Sequence, residues 1–118
     1  MVHTTEAIKK IASDLIVFLG GDRFKERHNA TYLWTIENED RLVEVAYLLD
    51  NPFVNRVQVM YDDSGDCFML NLTKCEHPYR PDDKGEKKAF DFAVYAFELE
   101  EVVNDLIEKT IKELSDAH

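Results

Sequence analysis

Apolar residues recur at two different periods along this chain, and the switch between them predicts the elements. Ile8, Ile11, Ala12, Leu15, Ile16 and Leu19 follow the i, i+3, i+4 rule and make one broad stripe, with Lys9, Lys10, Ser13 and Asp14 mostly opposite. Thr4 or Thr5 can cap this helix, Glu6 suits its first turn, and Gly20-Gly21 stops it. Asp22 to Asn29 reads as a polar connector. Thr31 to Ile36, rich in aromatic and β-branched residues, reads as a strand. Asn38 to Asp50 fits either period. As a strand, Val43, Val45, Tyr47 and Leu49 alternate and make a hairpin with 31–36. As a helix, Asn38 caps, Glu39 and Asp40 suit the positive end of the dipole, and Asn51-Pro52 terminates. Cap, dipole and terminator agree, so the helix is favoured.

The next hairpin is the clearest pattern. Arg56 to Tyr61 alternates, Asp63-Ser64-Gly65-Asp66 is a turn, and Phe68 to Leu72 alternates again. With Ser64-Gly65 at the tip, Tyr61 faces Phe68, Val59 faces Leu70 and Val57 faces Leu72, so every apolar pair shares a face. The reverse face, with Arg56, Gln58, Met60, Cys67, Met69, Asn71 and Thr73, is half polar. His77 to Lys88 holds Pro78, Pro81 and Gly85 among charges and reads as a long, exposed, mobile loop. Ala89 to Phe97 reads as a last strand with Phe90, Phe92 and Val94 on one side. It runs into a helix over 98–115 whose stripe is Leu99, Val102, Val103, Leu106, Ile107, Ile111 and Leu114. The expected fold is α+β: a single domain spanning 1–118, with an antiparallel sheet of about four strands and N- and C-terminal helices on one face. That arrangement leaves the other sheet face, or part of it, free.

Length and composition fit that architecture, since 118 residues at 45% hydrophobic make one ordinary core. No apolar run approaches the ~20 residues a membrane span needs. The amino terminus lacks the basic and apolar regions of a secretory signal, so a cytoplasmic chain is expected. The sequons at Asn29 and Asn71 are then chance matches. Cys67 and Cys75 lie eight residues apart in or beside one strand, ~26 Å if extended, far beyond the ~7 Å a disulfide tolerates. Two free thiols fit a reducing compartment.

Motifs that carry chemistry are weak. Asp62, Ser64 and Asp66 open like a calcium loop, but Cys67 and Thr73 stand where the glycine and the bidentate glutamate belong. Cys75 and His77 are too close for an ordinary zinc pair, and neither Cys67 nor His28 supplies a second one. Nothing places a histidine base beside a cysteine or builds an oxyanion hole, so no catalytic residue, metal or cofactor is expected. The eleven rings from Tyr32 to Phe97 alternate as strand residues and read mostly as core.

Charge is the feature with functional content. The chain carries a net charge of −10, of which −8 falls after Met60. Direct contact with nucleic acid or an anionic membrane is disfavoured, and a basic protein partner is favoured. On the last helix Glu98, Glu101, Asp105 and Glu108 step by three, four and three into one stripe. Their axial spacing of ~4.5–6 Å is comparable to the ~3.4 Å between phosphates of a DNA strand. Asp62, Asp63 and Asp66 at the hairpin tip form a second acidic cluster. The expectation is a small non-catalytic protein occupying the basic site of another, a nucleic-acid-binding one. Inhibitors that mimic DNA in anti-restriction or anti-CRISPR systems, and acidic toxin-immunity proteins, share this length and charge alone. The alternatives are an adaptor that dimerises through the face around Met60, Met69 and Cys67, and a small enzyme or ligand carrier with a pocket between sheet and helices. Thiol titration of unfolded, non-reduced protein should find two reactive groups per chain; one intramolecular disulfide would refute both the strand geometry and the compartment.

Overall fold

Five antiparallel strands, each hydrogen-bonded to its sequence neighbours in the order one to five, carry helices on one face in the computed structural model, which describes residues 3–117. The α+β class read from the pattern is the one observed, with five strands rather than four. Helix α1 (Thr5–Leu19) is capped by the Thr4 hydroxyl, which accepts the Ala7 N–H at 3.1 Å. It buries Ala12, Leu15 and Leu19 against the sheet. Gly20 ends it at φ 110°, and the Glu100 side chain fills the space a Cβ would need there. The positive φ is what favours glycine here, since the Glu100 carboxylate is the mobile end of a flexible side chain.

The expected connector after Gly21 is instead a short helix, α2 (Asp22–His28). One apolar residue in seven gives no readable period. Phe24 is its one buried residue, with its ring 5.0 Å from that of Tyr47. Strand β1 (Ala30–Glu37) pairs with β2 (Val43–Leu49), and this pairing corrects the helix expected over 38–50. Asn38 does cap, but it caps a hairpin turn. Its side-chain oxygen accepts the Asp40 and Leu42 N–H groups, and Arg41 takes φ 63° to close the loop. Cap chemistry is shared between turns and helices, so it could not decide between them. β2 is flanked on both sides and buried on both faces, which blurs its alternation.

Strands β3 (Arg56–Asp62) and β4 (Cys67–Lys74) pair in the register read from the sequence: Tyr61 with Phe68, Val59 with Leu70, Val57 with Leu72. These six face the helices, together with Val45, Tyr47 and Leu49. Strand β5 (Glu86–Val94) begins earlier than expected and ends before Tyr95. It is bulged twice against β4, and Ala93 takes φ 58° at the second irregularity. An irregular pairing breaks the period of two. Val94 and Ala89 therefore pack on the helix side, whereas Phe90 lies opposite Asn71 on the other face. A 3-10 turn (Ala96–Glu98) then leads into α3 (Leu99–Asp116), which buries Leu99, Val103 and Ile107.

The segment before β5 is a tether rather than a free loop. Asn55 exchanges two 2.8 Å hydrogen bonds with the Cys75 backbone. The guanidinium of Arg56, fully buried on β3, donates to the carbonyls of Pro78, Arg80 and Asp83 and lies 5.2 Å from the ring centre of Trp34. Asp83 accepts the His77 and Gly85 N–H groups, which hold its carboxyl below the usual range. Gly85 turns the chain into β5 at φ 65°, where Cys75 Sγ and the Lys74 carbonyl leave no room for a Cβ. At the amino end, His3 joins two loops: its Nδ1 meets Glu37 at 2.5 Å and its Nε2 meets Asp63 at 3.1 Å.

Two outcomes follow from these ties. Arg56→Met should free the 76–85 segment, with faster amide exchange at His77 and Gly85 and a stability loss of about 2–4 kcal/mol; unchanged exchange would show that the segment stands without its buried cation. Hydrogen bonds to Glu37 and Asp63 raise the His3 pKa above 6.5, and Glu37 is held below 4.5 by His3. A raised imidazole stabilises fully below its unfolded pKa, and that contribution is lost as pH rises through the folded one. The melting-temperature gap between the parent and His3→Ala should therefore narrow as pH rises from roughly 6 to roughly 9. A gap that widens over that range would refute the tie.

Candidate partner-binding surface

The acidic stripe of α3 divides once its neighbours are in place. Glu108 pairs with Arg27 of α2 through two hydrogen bonds of 2.6 and 3.1 Å. Glu100, outside the stripe, pairs likewise with Arg23, which holds its carboxyl below the usual range. Glu98 accepts the Tyr95 N–H at 3.1 Å, a local cap. Glu101 and Asp105 are exposed and take no ion-pair partner among the described residues. So the four predicted positions hold two committed carboxylates and two free ones. The basic residues of α2 lie on a segment whose residue pattern reads as a connector, so the sequence does not place them beside α3.

The hairpin tip also splits. Asp62 accepts the Ser64 N–H and hydroxyl, which lower its pKa, and Asp63 meets His3. Asp66 turns the other way. Its Oδ1 accepts the Tyr61 hydroxyl at 2.7 Å, and this bond, with partial burial, pushes the phenol up to about 12. Asp66 lies across a cavity of about 460 Å³ from Tyr95 and Phe97, next to the start of α3. Of the three tip carboxylates, Asp66 lines that cavity, whose walls include no residue of α3.

That cavity was not read from the sequence. Phe18 and Asp14 of α1 close one side, Tyr61 and Phe68 floor it, and Tyr95 and Phe97 rim it. Phe97 is 89% exposed, and its ring lies parallel to that of Tyr95 within 2°, centroids 6.2 Å apart. Phe90 and Phe92 stack at 6.3 Å on β5 and are also exposed, as are Tyr79 and Val17. Strand alternation had assigned most of these rings to the core. The bulges of β5 and the early end of the strand at Val94 turn them outward instead. No local signal marks a bulge without glycine, so composition alone could not find this surface.

The sheet face away from the helices is partly roofed by the Arg56-held segment. Glu44 is buried there and accepts hydrogen bonds from Trp34 Nε1 at 2.8 Å and Gln58 Nε2 at 3.2 Å. Beside it lies a polar recess of about 430 Å³. Met60 is buried, with Met69 and Cys67 half-buried around it. Cys67 and Cys75 sit at opposite ends of β4 as free thiols, Cys75 buried beside Thr73. His28 binds Asn104 at 2.6 Å, and His77 stands against Tyr79. Among the described residues, no three His, Cys, Asp or Glu side chains group to hold an ion, and no helix is long and apolar enough to cross a membrane.

Compared with protein-family models, with curated proteins and with solved structures, the chain matches none, so the functional reading rests on its own geometry.

Proposed function

We propose that this chain is a non-catalytic binding protein that occupies the basic site of a partner protein, of the kind that otherwise holds nucleic acid. One observation carries the reading. The carboxylates that fold the molecule are already paired, yet Glu101 and Asp105 stay exposed and uncompensated within a net charge of −10. Four residues apart, they stand ~6 Å from each other along the helix axis. Like charges at that spacing repel mildly, so the arrangement costs a few tenths of a kcal/mol until a cation approaches. Exposed aromatics beside the start of the same helix add apolar area that a charged surface alone lacks, which suits an anchored interface better than a solubility coat.

Retention on immobilised protein from a lysate of the source organism, at low and high salt and with duplex DNA as competitor, tests the proposal. A basic protein should be held, released by salt and displaced by the duplex. Glu101→Gln with Asp105→Asn should weaken retention at least about tenfold and flatten its salt dependence, since close interfacial charge pairs couple by roughly 1.5–7 kcal/mol. Folding should be untouched, because both side chains are exposed. A partner that binds the double variant as tightly, with the same salt slope, would return this helix face to a role in solubility.

A further inference from the structure

The cavity at the start of α3 has a composition that selects one chemistry. Its walls are Phe18, Tyr95 and Phe97, with Tyr61 and Phe68 beneath, its polar groups include the carboxylates of Asp14 and Asp66, and among the described residues no basic one lines it. We propose that this cavity receives the guanidinium of an arginine on the basic partner. The proposal rests on the reading of the chain as a binder of a basic protein and names the group that anchors it.

Each wall argues for a planar cation. Aromatic faces attract cations through their ring quadrupoles, and arginine, being flat and weakly hydrated, stacks on them better than lysine. Because the Tyr95 and Phe97 rings are parallel within 2°, a guanidinium laid flat on one is aligned with both. The Tyr61 hydroxyl fixes Asp66 through Oδ1, and Oδ2 takes no hydrogen bond among the described residues. Among the described residues Asp14 is bound by Lys10 alone, through Oδ2 at 3.0 Å, in a solvent-exposed pair that a competing cation can replace. Two carboxylates with free oxygens match the fork of donors on arginine. The volume of about 460 Å³ falls within the range of small-ligand sites.

Other occupants fit less well. A nucleobase would stack on the rings, but its phosphates would meet Asp14, Asp66 and a net charge of −10. A second copy would bring the same carboxylates and the same net charge against each other. A purely apolar peptide would bury both carboxylates without a partner. Charge complementarity therefore commits the cavity to a basic protein side chain.

Titration of the full chain with N-acetyl-arginine amide, followed by NMR, tests this against N-acetyl-citrulline amide, a neutral probe of the same shape. The arginine probe should give saturable shifts at Phe18, Tyr95 and Phe97, and the citrulline probe should bind at least about fivefold more weakly. Asp66→Asn and Phe97→Ala should each weaken the arginine probe by a similar factor. Phe97 is almost wholly exposed, so its loss leaves the fold intact and the result interpretable. Equal response to the two probes would overturn the proposal, as would arginine shifts centred on Glu101 and Asp105 that survive Phe97→Ala. If the cavity fails in this way while a salt-sensitive, DNA-displaced partner is still retained, the arginine site falls and the broader reading stands. If no such partner is retained either, both fall.

Discussion

A fully buried guanidinium on a central strand governs how this sheet is finished. Helices cover one face, so the other needs a second layer or a polar surface. Arg56 supplies the layer by drawing three carbonyls of the 76–85 segment down onto the sheet. Burying a cation is expensive unless its donors are met and its charge is balanced nearby. Here the face of Trp34 lies over the charge, and the indole N–H of the same ring reaches the buried Glu44. Cation and carboxylate are thus linked through one aromatic ring, with Arg56 Nε left unpartnered among the described residues. Where the tethered segment stops, the face stays open as the recess beside Glu44 and Gln58.

Charge plays two roles that the net value conceals. The pairs from Arg23 to Glu100 and from Arg27 to Glu108 staple α2 to α3 across more than seventy residues of sequence. Each is solvent-exposed and worth little on its own. Their effect is directional: they consume the acids facing α2 and leave Glu101 and Asp105 alone. The excess negative charge that remains belongs to the surface.

Much of the fold was legible because its signals were redundant. The β3–β4 register followed from six apolar residues agreeing on one face, and α1 and α3 from long stripes with recognisable ends. Failures came where one signal served two structures. Asn38 caps a turn as readily as a helix, and β2, covered on both faces, carries apolar residues that fit both periods. Phe24 is the single buried residue of α2, below the threshold of any periodic pattern. The site was less legible than the fold. Residue order revealed the acidic stripe, but partner choice across helices decides which acids stay free. The aromatic rim depends on irregular pairing between β4 and β5 that leaves no mark in composition.

The meander has a consequence for how the chain reaches this state. Every strand pairs only with its neighbours in sequence, so each hairpin closes a short loop and can zip in turn. Docking of α3 beside α1 and α2 is different, because it joins the two ends of the chain and carries the largest loop-closure entropy. Both inter-helix ion pairs exist only after that event. Closing the chain ends on each other therefore also decides which carboxylates of α3 are neutralised and which stay exposed.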